Sequence, residues 1–315
     1  MKFDSKTTAF LFPGQGSQNI GMGKALAERF PSAQSVFMEA DTILGFRISE
    51  IMWNGPDSEL NETVNTQPAL FIHSIASYRV FQSVFPGTSP LIMAGHSLGQ
   101  LSAITAAGAM SFEDGLRLVR KRGELMKRAG EINPGGMAAI LGLDIPALDK
   151  VCLEASNQDE IVQVANDNCP GQVVISGHKL ALERAMVGAK AVGAKRALPL
   201  AVSIAAHSPL MDSIQSEWDD AVKKAAFSDI EIPIVGNVSA EPIKLAEGLR
   251  ADVRAQLQSR VRWTESIKWM TAHGVTAFLE LGTGTVLGGL VKRIVEGVAS
   301  LPLGNPVDFD QLVSD

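Results

Sequence analysis

Gly95-His96-Ser97-Leu98-Gly99 has the form G-x-S-x-G. In that pattern a serine sits on a tight strand-to-helix turn and projects its hydroxyl out of a sheet, while the glycines leave room for the strained backbone. The amides that open the following helix then face the negative charge that develops on an attacked carbonyl. An apolar run over 91–94 and a small-residue run over 100–107 supply the strand and the helix that this chemistry needs. A serine that merely caps the helix is the competing reading. A nucleophilic serine also needs a base. Five histidines are available. His96 is next to the serine, and adjacent side chains there point apart. His73 falls within a helical stretch and His178 in a turn. His207 lies in Ile204-Ala205-Ala206-His207-Ser208-Pro209, a loop just after a strand. Catalytic groups collect on such loops at domain junctions, so His207 is the choice. A histidine satisfied at the surface or in the core stays the alternative for each of the five.

The elements that must position these groups read as α/β. Residues 7–12 form a β-prone apolar run that ends in the flexible loop Pro13-Gly14-Gln15-Gly16-Ser17-Gln18, and a helical stretch follows over 22–29. Residues 112–128 read as an amphipathic helix with Leu116, Val119, Leu125 and Met126 facing inward. Asn133-Pro134-Gly135-Gly136 then breaks the helix. The next segment reads strand 137–141, helix 145–155, strand 161–165, strand 172–176, helix 180–192 and strand 197–200. That order is β-α-β-β-α-β, a ferredoxin-like unit of about 70 residues. The expected organisation is a large α/β-hydrolase-like domain over 1–132 and 202–315, with a mainly parallel sheet and a small ferredoxin-like subdomain inserted over 133–201. Residues 232–236 and 277–281 read as further core strands. The last ten or so residues read as a loose tail.

Composition bounds the function. The chain has 315 residues, 46% hydrophobic and 20% charged, enough for a large core. Its formal net charge of −6 and lack of a long basic run argue against a nucleic-acid partner. Cys152 and Cys169 match no zinc or redox spacing and read as unpaired core thiols in a reducing compartment. No metal-ligand motif occurs, and no cofactor is expected. Gly14-Gln15-Gly16 and Gly282-Thr283-Gly284 do not complete a dinucleotide fingerprint. The start, Met1-Lys2-Phe3-Asp4-Ser5-Lys6, does not read as a signal peptide, and no apolar run reaches the roughly 18 residues of a membrane span. A cytoplasmic monomer is the expectation.

Several separated segments together resemble one family, the malonyl-CoA:acyl carrier protein transacylases. They are Phe12 to Gln18, Gln67-Pro68-Ala69-Leu70, Gly95 to Gly99, and Arg122-Gly123 with Met126. Weaker echoes come at Pro170 to Ile175, at His207-Ser208 and at Glu280 to Gly284. The resemblance implies Ser97 as the acylated nucleophile and His207 as its base, oriented by a backbone carbonyl near Gln256. It implies the amides of Gln15 and Leu98 as the oxyanion hole. It also implies Gln67, Met126, His96 and Ala206 as substrate-contacting residues. Arg122, 25 positions after the serine, would grip the malonyl carboxylate bidentately. By spacing alone, Arg122 reads equally as a solvated helix residue.

Two positions depart from the family pattern. Gln100 stands where glutamate is usual. It falls near the first helical turn, where glutamine keeps a capping bond but carries no charge. Unchanged or slightly tighter malonyl-CoA binding is expected from it. Ala205-Ala206 precedes the histidine where bulkier residues are usual, which leaves space for an α-methyl group. The implied partners are malonyl-CoA and acyl carrier protein. An acidic carrier needs a local basic patch, for which Lys292-Arg293 and Lys195-Arg196 are candidates. The alternatives are a free-standing polyketide-type (methyl)malonyl acyltransferase, a serine thioesterase or esterase, and a non-catalytic scaffold.

Overall fold

Apolar strands buried on both faces build the centre of the molecule. The computed structural model describes residues 3–314; the first two residues of the Met1–Lys6 start, and Asp315 at the other end, lie outside the described residues. β1 (Thr8–Phe12) is buried at all five positions, as is usual for a parallel strand covered on both sides. It pairs in parallel with β2 (Ile92–Gly95).

Ten strands are described. After β1 and β2 come β3 (Gly135–Leu141), β4 (Val162–Cys169), β5 (Gln172–His178), β6 (Arg196–Pro199), β7 (Ile234–Val235), β8 (Pro242–Ile243), β9 (Ala277–Leu281) and β10 (Ala299–Leu303). Six of them form one sheet in the order β10-β9-β1-β2-β7-β8. Every pair in it is parallel except β7 with β8. The other four form an antiparallel sheet in the order β4-β5-β3-β6. The fold is therefore mixed α/β, with one mainly parallel and one antiparallel sheet. Burial alternates along β3, so one face of the small sheet packs on the helices Ile145–Ala155 and Lys179–Ala191.

The long helices Thr63–Val84 and Phe112–Ile132 pack on each other, and two of their contacts bear on the site. Pro68 lies inside the first helix and has no amide hydrogen, which frees the carbonyl one turn back, at Val64. Arg120, on the second helix, donates to that carbonyl at 2.8 Å. Three residues on, a Cβ at Gly123 would lie 2.9 Å from the carbonyl oxygen of Thr63. The two helices thus meet where one lacks a donor and the other lacks a side chain.

Some expectations need correction. The C-terminal segment is not loose: Pro306–Ser314 is helical, Phe309 and Leu312 are buried, and Arg29 grips Asp310 through two bonds of 2.6 and 2.7 Å. His178 ends β5 and directly precedes the next helix instead of standing in a turn. Cys152 and Cys169 are free and buried, and burial pushes the Cys152 thiol up to about 12. Among the described residues, no helix is long and apolar enough to cross a membrane.

Candidate active site

The turn after β2 is closed by glycines that admit no side chain. A Cβ at Gly95 would lie 1.9 Å from the backbone of Gly99, and one at Gly99 would lie 2.0 Å from the carbonyl oxygen of Phe12. A Cβ at Gly14 would lie 2.5 Å from the carbonyl oxygen of His96. The loop after β1 therefore rests directly on the turn. Ser97 adopts φ 51°, a left-handed conformation rare for a residue with a side chain. Asn237, just after β7, holds it there. Its Oδ1 accepts from the Ser97 amide at 2.7 Å, and its Nδ2 donates to the Gly95 carbonyl at 2.7 Å.

His207 meets the serine. Its Nε2 is 2.8 Å from Ser97 Oγ, and its Nδ1 is 2.8 Å from the backbone carbonyl of Gln256. A carbonyl can only accept, so Nδ1 carries the hydrogen and Nε2 is the lone-pair nitrogen facing the hydroxyl. Among the described residues no carboxylate bonds the imidazole: Asp219 is paired with Arg254, and Asp212 accepts from Gln258. Burial, then the nearby Arg122 cation, lowers the His207 pKa to about 3. The ring is neutral at physiological pH and able to take a proton. His207 also has a positive φ, 58°. Gln163 of β4 steadies it by donating to the carbonyls of His207 and Gln258 at 2.8 and 3.0 Å.

Arg122 is buried, only 2% exposed. The docking of helix Phe112–Ile132 at Gly123 carries its guanidinium across to the serine. Nη1 donates to Gln67 Oε1 at 2.8 Å. Nη2 donates to Gln256 Oε1 at 2.8 Å and to Ser97 Oγ at 3.1 Å. Nε has no partner, and no acid pairs with this arginine, among the described residues. Burial lowers its pKa to about 9, which still leaves it cationic at pH 7. A buried, unneutralised cation touching a candidate nucleophile is set to receive an anion.

The other expected residues fall as follows. Gln67 donates to Thr63 Oγ1 at 3.0 Å and to Met126 Sδ at 3.2 Å. Thr63 in turn donates to the side chain of Gln15 at 3.1 Å, which joins the loop after β1 to the arginine pocket. Leu98 stands at the N-terminus of the helix Gly99–Ala106. His96 Nε2 lies 2.8 Å from Asn168 Oδ1. Lys292 and Arg293 are exposed at a helix end, and Arg293 donates to Gln172. Ala206 is buried, and Ala205 is fully buried. A Cβ at Gly135 would sit 2.7 Å from the Ala205 methyl, so Ala205 packs on the start of β3 and offers no free space. Gln100 is not a solvent-facing cap. Its side chain is fully buried, donates to Asp252 at 2.7 Å and accepts from Gln256.

Comparison with known proteins gives the family. Residues 9–301 match the family described as acyl transferase domain. The malonyl CoA-acyl carrier protein transacylase of Bacillus subtilis (strain 168) is 45% identical over 298 residues, covering 95% of this chain and 93% of that protein. That of Escherichia coli (strain K12) is 44% identical over 298 residues, covering 95% and 96%. The chain belongs to the malonyl CoA-acyl carrier protein transacylase family. Among solved structures, an acyl carrier protein S-malonyltransferase from Vibrio cholerae superposes on this transacylase-family chain with a TM-score of 0.94 at 40% identity, over 97% of this chain and 99% of that one. A malonyl-transacylase in complex with a holo type II PKS acyl-carrier protein gives 0.93 at 42%, over 98% and 99%.

Asn237, Asp252, Gln163 and Asn168 bond residues of the candidate site, and the sequence of this family member does not announce them. Asn237 directly follows a segment expected to be a core strand, and a polar residue at that place is the available signal. Asp252, on the helix Ala246–Ala255, has none.

Proposed function

We propose that the chain transfers the malonyl group of malonyl-CoA to the phosphopantetheine thiol of acyl carrier protein, through a malonyl-serine intermediate. Its role would be to supply extender units for fatty acid synthesis. One observation carries the choice of acyl group: buried Arg122, unmatched by any described acid, touches Ser97 Oγ. A malonyl group brings the missing carboxylate; an acetyl group leaves the guanidinium unpaired.

In this reading His207 Nε2 takes the Ser97 proton as Oγ attacks the thioester carbon. The amides of Gln15 and Leu98 receive the oxyanion. The C–S bond breaks, and His207 returns the proton to the CoA sulfur. The carrier thiol then enters, gives its proton to His207 and attacks the malonyl ester. Ser97 leaves and takes the proton back. Gln67, Met126, His96 and Ala206 would line the acyl group, and Lys292 with Arg293 would meet the acidic carrier. No step calls for a metal or redox group.

The finer architecture fits the same reading. The chain would comprise a large α/β-hydrolase-like domain over 1–132 and 202–315, with a ferredoxin-like insert over 133–201. The order β4-β5-β3-β6 and a separate hydrophobic cluster within this segment support the division. A cytoplasmic location follows from the reaction assigned. A polyketide carrier is the second reading, favoured by the similar structure seen with a type II PKS acyl-carrier protein.

Intact mass after incubation with malonyl-CoA tests the assignment. A malonyl-sized adduct is expected on the wild type, none on Ser97→Ala and little on Arg122→Ala. Free CoA and malonate without an adduct would point to a hydrolase. No adduct and no turnover would point to a scaffold. Malonyl transfer to fatty-acid and to polyketide carriers, compared side by side, separates the two pathways.

A further inference from the structure

Arg122 can only donate hydrogen bonds, and an ionised aspartate can only accept them. Between Arg122 and Asp252 lie two buried glutamine amides. Arg122 Nη2 donates to Gln256 Oε1 at 2.8 Å. Gln256 Nε2 donates to Gln100 Oε1. Gln100 Nε2 donates to Asp252 Oδ2 at 2.7 Å. With a donor fixed at one end and an acceptor at the other, neither amide can turn over without setting like groups against each other. The chain runs one way, fixed by Arg122 at one end and Asp252 at the other, with Gln256 Nε2 also donating to the Ser97 carbonyl at 3.0 Å.

Asp252 is itself built in. It is 7% exposed and accepts from the amides of Asn237, Val238 and Ser239 at 2.9, 3.2 and 3.1 Å. Gly236 makes the room, since a Cβ there would lie 2.5 Å from Asp252 Oδ1. From Oδ2 of the aspartate one path thus reaches the Ser97 amide through Asn237, and another reaches Arg122 through Gln100 and Gln256.

We propose that Asp252 is a positioning residue for recognition of the acyl carboxylate, acting through Gln100 and Gln256 to aim the Arg122 guanidinium beside Ser97. This rests on the reading of Arg122 as the carboxylate reader. It also gives Gln100 a reason: a glutamate there would put a second carboxylate against Asp252. The charge is held at 252, and an amide at 100 carries its direction inward.

The test is the ratio of malonyl-serine to acetyl-serine formation in single turnovers on the full chain, read by intact mass, with thermal melting as a check on folding. Gln100→Met cuts the chain and leaves the backbone bonds of Asp252 in place. It is expected to lower the malonyl-to-acetyl ratio about ten-fold, because a sub-ångström loss of aim is costly. Gln100→Glu is expected to lower it as well. Asp252→Asn added to Gln100→Glu lets the new amide donate to the new carboxylate, which still accepts from Gln256, but sets that amide against the Asn237 N–H, and is expected to recover part of the ratio. Arg122→Ala, run alongside, is expected to abolish the preference. A Gln100→Met ratio within about two-fold of wild type, with the preference lost in Arg122→Ala, overturns the role of Asp252 alone. An unchanged ratio in Arg122→Ala overturns the carboxylate reader and this role with it. If Gln100→Met does not fold, the glutamate pair decides: no recovery in the double variant overturns the one-way chain.

Discussion

Arg122 Nη2 lies 3.1 Å from Ser97 Oγ, the same oxygen that His207 Nε2 approaches at 2.8 Å. The hydroxyl that would attack is therefore held between a lone pair that draws its proton and a cation that favours the resulting alkoxide. The cation has two consequences beyond charge. On the proposed reading it recognises an acyl carboxylate by shape, and it adds to the burial that keeps the neighbouring imidazole unprotonated.

The shape effect is checked with Arg122→Lys. Lysine keeps a positive charge but loses the planar fork that bonds Gln67 and Gln256 together. We expect kcat/KM for malonyl-CoA to fall by about ten- to a hundred-fold, the cost of one or two good charged hydrogen bonds. Retention of wild-type kcat/KM would show that charge alone suffices.

The charge effect is checked by pH. With His207 lowered to about 3, its base form persists far below the ordinary 6.5. The acid limb of kcat/KM, measured in brief pH jumps, should fall well below pH 6.5. Removing the cation in Arg122→Ala lets the His207 pKa rise. With acetyl-CoA as substrate, the limb should then move upward but stay below 6.5, since burial is the larger cause. A downward shift would contradict this coupling.

The same imidazole, with a second one, governs stability in acid. His73 is lowered to about 4 by burial, and His207 to about 3. Between those values and 6.5 the unfolded chain binds protons that the folded chain does not. Their contribution is complete above pH 6.5 and is lost as pH falls. Each should cost about 2 kcal/mol at pH 5. Denaturant melts at pH 7 and 5 should show the loss, and His73→Gln should reduce it.

Gln163→Ala removes the side chain that bonds the carbonyls of His207 and Gln258. Because Gln163 bonds backbone carbonyls on the His207 side of the site, kcat should fall about ten-fold with KM for malonyl-CoA little changed. A rise in KM alone would place Gln163 in binding instead.

Gly99→Ala drives a Cβ into the backbone oxygen of Phe12, which a side-chain rotation cannot relieve. We expect a loss of at least about 3 kcal/mol, or no folded protein. Gly289→Ala, on the helix Val286–Ile294, meets nothing within 4 Å and should melt like the wild type.

Much of the site is legible in the sequence where geometry is local. The helix Ile145–Ala155 and β9 fall where periodicity and composition put them. Ser97 and His207 follow from turn chemistry and loop position, and they lie in contact. What stays hidden is what tertiary packing decides. The helix 112–128 carries Lys121, Lys127 and Arg128 on a solvent face, so its sequence alone leaves Arg122 undecided; only the close approach at Gly123 buries it. Gln100 reads as a cap because its partner, Asp252, lies 152 positions away. The terminal helix reads as loose because Phe309 and Leu312 gain meaning only against Phe30 and the core.

The proposed nucleophile, Ser97, follows a strand of the parallel sheet, but the carbonyl of the proposed base, His207, is held by Gln163, a residue of the antiparallel one. A tilt of the small sheet by a few degrees would leave both cores whole and still part an oxygen from a nitrogen 2.8 Å away. Turnover is then a sensitive gauge of alignment between the halves. On warming, activity should fade before the circular dichroism changes, and carriers or inhibitors that wedge the halves apart would silence the enzyme without reaching its serine.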